Sequence, residues 1–157
     1  MRASGAADRR MQRGGNRVRI LLVEDSLAIR RANESALQKA GYEVITAEDG
    51  ESALQMARER HPDLILLDMI LPKMGGPEVL RHLKEEARTA AIPVVVVSSL
   101  SEKNRQKLIE AGAEDYLEKN DIMLEHGENL LPKMLENIIC RINRKRGIAF
   151  SEVPLHE

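Results

Sequence analysis

Glu24 and Asp25 stand side by side where the apolar run VRILLV (18–23) ends, and Asp68 closes a second run, DLILLD (63–68). Ser98 closes PVVVVS (93–98) and Lys119 closes DYLEK (115–119). Each run reads as a strand. Neighbouring residues on a strand point to opposite faces, but where the backbone turns at its end two of them can converge on one spot. Three carboxylates gathered there would repel one another and raise a pKa unless a cation sits among them. Oxygen-only donors of this kind suit Mg²⁺, which keeps some of its waters and is usually held by one or two carboxylates together with phosphate oxygens. With that charge neutralised, Asp68 can act as a nucleophile toward a phosphoryl group, while Lys119 and the Ser98 hydroxyl hold the remaining oxygens. Positioning and charge stabilisation of this sort are most of what phosphoryl transfer requires.

For these residues to meet, the strands must lie parallel, so that all their carboxyl ends share one rim. Five strand-like runs, 18–23, 42–47, 63–68, 93–98 and 115–119, alternate with stretches whose apolar residues recur every three or four positions. Those stretches run from Leu27 to Ala40, Glu51 to Glu59, Gly76 to Glu86 and Glu102 to Ala111. Consecutive apolar residues in LILL and VVVV fit a sheet covered on both faces. Gly41 and Gly112 follow helices as left-handed caps, and Pro62 and Pro93 precede strands. Each connection is long enough for a right-handed crossover. After Lys119 comes a loop, NDIMLEHG, and then a last helix with the stripe Leu130, Leu131, Met134, Leu135, Ile138, Ile139 and Ile142. In an open parallel sheet of this kind, ligands bind outside the carboxyl ends where the strand order reverses.

Length and composition set the outer bounds. A chain of 157 residues can bury one substantial core, and with 43% hydrophobic but only 2% aromatic residues, aliphatic side chains must fill it. Met56, Met69, Met74, Met123 and Met134 read as core filling. Cys140 lies in the stripe-bearing helix and reads as a small core or helix-edge residue. No apolar run reaches the ~20 residues of a membrane helix and no signal peptide is visible, so no membrane association and a cytoplasmic location are expected. Residues 1–17 hold five arginines and one aspartate, a formal +4 against −5 for the remainder, and read as a disordered basic tail. Arg141, Arg144, Lys145 and Arg146 read as a solvated helix end matched to the helix dipole. The division is a tail over 1–17, one domain over 18–146 and a C-terminal tail over 147–157.

VEDS (23–26), LILLDMILPKMGG (64–76), PVVVVSS (93–99) and AGAEDYLEK (111–119), in this order, resemble the receiver domain of bacterial two-component response regulators. The resemblance implies a flavodoxin-like α/β fold, a doubly wound five-stranded parallel sheet of order 2-1-3-4-5. It implies Asp68 as phosphoacceptor and Mg²⁺ held by Asp25, Asp68 and the backbone carbonyl of Ile70, with Glu24 acting largely through a metal-bound water. It further implies Ser98 as switch hydroxyl and Tyr116 as an aromatic whose rotamer reports phosphorylation. Without the resemblance, Tyr116 reads equally as a half-buried sheet residue with its hydroxyl in water.

Three departures stand out. The stretch from Ser98 to Lys119 is one residue shorter than the commonest family spacing, which leaves the switch hydroxyl open between Ser98 and Ser99. The family usually places proline after the lysine, with a cis bond, whereas Asn120 follows Lys119. A cis bond to a non-proline residue costs about 2.5–4 kcal/mol, so either that strain is tolerated or the lysine loop takes another path. Ile70 and Leu100 stand where many family members carry polar side chains, and their bulk restricts attacking water.

The reading is a phosphorylation-controlled signalling module, not an enzyme beyond its own phosphorylation and dephosphorylation, served by a histidine kinase or phosphotransfer protein. With about a dozen residues after the last helix no DNA-binding domain is expected, so output passes to a downstream protein or a homodimer through the fourth helix, fifth strand and last helix. The alternatives are a scaffold that has lost the switch at Lys119–Asn120, and a magnesium-dependent phosphatase. The phosphatase would need a second acid two residues past its nucleophile, where Ile70 stands.

Overall fold

The computed structural model describes residues 17–99 and 104–147. Most of both expected tails, the start of the fourth helix and Leu100 lie outside the described residues. The elements in order are β1 (Arg19–Val23), α1 (Leu27–Lys39), β2 (Glu43–Ala47), α2 (Gly50–Arg60), β3 (Leu64–Asp68), α3 (Gly76–Glu85), β4 (Val94–Ser98), α4 (Arg105–Glu110), β5 (Asp115–Glu118) and α5 (Leu131–Lys145). All five strands are parallel, in the order β2-β1-β3-β4-β5. The order reverses between β1 and β3, so the expected crevice lies where Glu24, Asp25 and Asp68 stand. The fold is the doubly wound α/β sheet that the family resemblance implied, and its parallel strands covered on both faces are what the apolar runs called for.

Strand alternation sorts the core into two layers. Ile20, Leu22, Leu64, Leu66, Val95, Val97 and Leu117 face α1 and α5, while Leu21, Val23, Ile65, Leu67, Val94, Val96 and Tyr116 face α2, α3 and α4. Every residue of β3 and β4 is buried, as their unbroken apolar runs required. Burying each aliphatic side chain is worth roughly 1.5–3 kcal/mol, and this drives the layers together.

Local signals close the elements. Ser26 and Asp49 cap α1 and α2 by accepting the backbone N–H of Ile29 and Ser52. Gly41 and Gly112 take positive φ after α1 and α4. Four expectations are corrected. Met123 is 44% exposed, because Ile122 beside it fills the core position. Tyr116 is buried, not half-buried, because it lies on the α2–α4 side of the sheet. The segment after Lys119 is not a plain loop: residues 119–121 form a one-turn 3₁₀ helix, and 123 pairs with 129 in an antiparallel bridge. The α5 end is not merely solvated, since Arg141 pairs with Asp115, Lys145 with Glu114, and Arg146 donates to the Ala91 carbonyl.

The hydrogen bond from Ser52 N–H holds the Asp49 carboxyl below its ordinary range. Its contribution is therefore present above the unfolded pKa and lost as pH falls through the lower folded value. Asp49→Ala should cost about 1 kcal/mol at neutral pH. Urea unfolding should show the two proteins converging in acid.

Candidate functional site

Parallel register gives the rim its geometry. Val23 pairs with Leu67 and Asp68 with Val97, so Glu24 and Asp68 leave adjacent strands at nearly the same height. Continuing the alternation, Glu24 follows Leu22 and Asp68 follows Leu66 onto the α1–α5 side of the sheet. Glu24 and Asp68 are each only 3% exposed, whereas Asp25 is exposed. One oxygen from each of the three lies within 4.8 Å of the others. The convergence expected of adjacent acids at a strand end is thus present, with one carboxylate turned inward and the other toward solvent.

Lys119 reaches across the end of β4 to both buried acids. Its ammonium lies 3.1 Å from Asp68 Oδ2 and 3.2 Å from Glu24 Oε1. Burial raises the pKa of the Glu24 carboxyl and the charge of Asp68 adds to this; the Ser26 backbone N–H, donating to Glu24 at 3.0 Å, and Lys119 pull against them. Burial also works against the Lys119 ammonium, but the hydrogen bond and charge of Asp68, and then Glu24, outweigh it and raise its pKa.

Backbone contacts fix the frame around the acids. The Ile70 N–H donates to Asp68 Oδ1 at 3.1 Å. The chain then returns tightly: Gly76 N–H donates to the Met69 carbonyl at 3.0 Å, and a Cβ on Gly76 would stand 2.4 Å from Met69 Cα, so only glycine fits. Arg30, one turn into α1, donates to the Glu24 carbonyl at 2.8 Å. Sequence reading missed this brace, because a lone arginine on an amphipathic helix carries no signal of what its head will reach.

The remaining expected residues occupy the same edge by register. Ser98, fully buried, lies one residue beyond the partner of Asp68 and pairs with Glu118. It follows Val96 onto the α2–α4 side, the side on which Tyr116 packs in one cluster with Leu108 of α4. Ile70 is 57% exposed beside the acids. No peptide bond among the described residues is cis, so the Lys119–Asn120 bond is trans and the lysine loop takes its other path, through the 3₁₀ turn. The donor set fits Mg²⁺: oxygen ligands, two of them buried and one open to solvent, with room for waters on the exposed side.

A doubly wound sheet with acids and a lysine gathered at its switch point defines an α/β domain with a candidate oxygen-donor metal site. A family model described as the response regulator receiver domain matches residues 20–125, and the chain belongs to this family, that of two-component signalling receivers. The phosphate regulon transcriptional regulatory protein PhoB of Escherichia coli is 42% identical over 102 residues, 64% of this chain and 44% of that protein. The response regulator PleD of Caulobacter vibrioides is 45% identical over 109 residues, 68% of this chain and 24% of that protein. The chain thus spans less than half the length of these curated relatives. Among solved structures, the chemotaxis response regulator CheY4 of Vibrio cholerae superposes with a TM-score of 0.68 at 30% identity, covering 77% of this chain and 98% of that one. The receiver domain of the sensor histidine kinase PA1611 from Pseudomonas aeruginosa, solved with a magnesium ion in its active site cleft, gives 0.64 at 28% identity, covering 78% and 94%. No helix among the described residues is long and apolar enough to cross a membrane.

Lys119→Met should leave Glu24 and Asp68 facing one another unopposed, raising the Glu24 carboxyl further and costing about 1–3 kcal/mol near pH 7. The loss should shrink as pH falls and protonation removes the repulsion. Urea unfolding at two pH values measures it.

Proposed function

We propose that this chain is a phosphorylation-controlled receiver in which Asp68 accepts a phosphoryl group from a histidine kinase or phosphotransfer protein in the cytoplasm, the folded unit being residues 18–146. The observation that carries the reading is the Asp68 carboxylate, buried at the rim beside Glu24 and Asp25 with the Lys119 ammonium 3.1 Å away. An Asp68 oxygen attacks phosphorus as the bond to the donor imidazole breaks, and the leaving nitrogen keeps that electron pair. The Lys119 ammonium follows the incoming phosphoryl oxygens, and the Ser98 hydroxyl donates to the one on the β4 side. Mg²⁺, held by Asp25, Asp68 and the Ile70 carbonyl with Glu24 through a water, would neutralise the charge developing on those oxygens. The chain acts as a catalyst only of its own phosphorylation and dephosphorylation. The bond between Lys119 and Asp68 weighs against a scaffold that has lost its switch, and the exposed Ile70 two residues past Asp68 weighs against a phosphatase.

Output is assigned to the face of α4, β5 and α5, as a docking surface for a downstream protein or for a second copy. Ser98 and Tyr116 lie on the sheet face that α4 covers, so a change at the rim can bias α4 between two packings. That face is tied together at Asp115, which pairs with Arg105 of α4 and Arg141 of α5 and leaves Ile109 exposed.

Intact mass after incubation with acetyl phosphate and Mg²⁺ tests the reading. Wild type should gain one phosphoryl group and Asp68→Asn none. Asp25→Ala should stay folded but lose phosphorylation. A normal gain by Asp25→Ala would remove the metal assignment.

Hydrolysis of the aspartyl phosphate needs a water in line with the phosphorus–oxygen bond. Ile70 flanks that approach and offers no hydrogen bond to orient it. Ile70→Asn should therefore shorten the lifetime of the phosphorylated protein several-fold, followed by mass against time.

A further inference from the structure

Lys119 carries the ammonium that both buried acids share, yet nothing in its own element holds it. It stands just past β5, on a flexible stem, in a 3₁₀ turn of three residues with a trans bond to Asn120. Turns of that length are weak on their own. Restraint comes from the next segment of chain. Ile122 N–H donates to the Lys119 carbonyl at 3.2 Å, and the Ile122 side chain is buried against Leu117, Leu131 and Leu135. The backbone then doubles back: Leu124 N–H donates to the Glu128 carbonyl at 2.9 Å and Leu130 N–H to the Ile122 carbonyl at 2.7 Å. A small hairpin over residues 122–130 results, and the family match ends at residue 125, inside it.

The hairpin is fastened at one side chain. Asn129 Nδ2 donates to Asn33 Oδ1 at 2.9 Å, and its Oδ1 accepts the N–H of Leu131, the first residue of α5. Asn33 is 6% exposed on α1, a placement that costs free energy unless the amide is satisfied. It lies three residues after Arg30, whose guanidinium holds the Glu24 carbonyl. One helix therefore grips the acid loop through Arg30 and the lysine loop through Asn33.

We propose that the 122–130 hairpin, fastened to α1 by the Asn129–Asn33 hydrogen bond, is the device that places the Lys119 ammonium against Asp68 and Glu24, with Asn33 and Asn129 as positioning residues. The proposal rests on the phosphoacceptor reading for its kinetic consequence, but its geometric content stands apart from it. A lysine released from the hairpin keeps its charge and loses its address.

The experiment uses the full chain with Asn33→Ala, Asn129→Ala and the conservative Asn33→Asp, each also combined with Lys119→Ala. NMR relaxation of the Lys119 ε-methylene reports side-chain order, and intact mass reports the rate of phosphorylation by acetyl phosphate with Mg²⁺. Both alanine variants should give Lys119 the relaxation of a free surface lysine and slow phosphorylation about tenfold, and Asn33→Asp, which keeps the acceptor, should restore both. In the Lys119→Ala background neither alanine should slow the reaction further, since residues that act through one group are not additive. Should an alanine variant fail to fold, Asn33→Leu fills the same volume without an acceptor and carries the same expectation. Unchanged Lys119 relaxation in a folded variant, or equal slowing with and without Lys119, overturns the proposal. If wild type took up no phosphate while Lys119 still loosened in the variants, the functional reading would fail and the positioning role would stand.

Discussion

Two carboxylates buried at the ends of adjacent strands are tolerated because one ammonium lies between them. Glu24 leaves β1, Asp68 leaves β3, and Lys119 crosses the end of β4 from β5 to touch both. Removing the charge pairing would leave each acid desolvated beside a like charge, which low-dielectric surroundings punish more than water does. Sheet register sets the height of the acids, the return at Gly76 sets the angle of Asp68, and Arg30 sets the acid loop. The site is the place where four strands and one helix must agree.

Periodicity and punctuation account for the part of the structure that was legible in the sequence. Unbroken apolar runs such as LILL and VVVV have one physical solution in a chain with few aromatics, a covered parallel sheet, and the strand bounds shift by only a residue. Acids at strand ends are legible for the same reason, because the topology leaves only one rim for them. Less legible were contacts made by chain that neither alternates nor repeats. Within NDIMLEHG, Ile122 and Met123 are both apolar and adjacent, and only the turn after Lys119 decides that the first is buried and the second exposed. Asn33 and Asn129 are 96 positions apart, with no local pattern to link them. Arg141 looked matched to a helix dipole until β5 placed Asp115 beneath it.

Helix α4 is the shortest of the five described, at six residues, and only Leu108 of it is buried. α5, by contrast, buries a full stripe from Leu131 to Ile142. So few apolar anchors put α4 among the elements that open at least cost, while β3 and β4, buried at every position, stay fixed. Strands buried at every position thus lie beside a short helix with one buried anchor, and the Asp115 ion pairs to Arg105 and Arg141 keep that helix within reach of β5 and α5.

The alternation of side chains along a strand divides the helices of this fold into two independently packed sets. Glu24 and Asp68 continue the α1–α5 side of the sheet and Ser98 and Tyr116 the α2–α4 side, and the two sides meet only at the rim, where the strands end. Substitutions accumulating on one side repack a different set of helices from those on the other. The helices on the α2–α4 side can therefore be repacked without moving the layer from which Glu24 and Asp68 project.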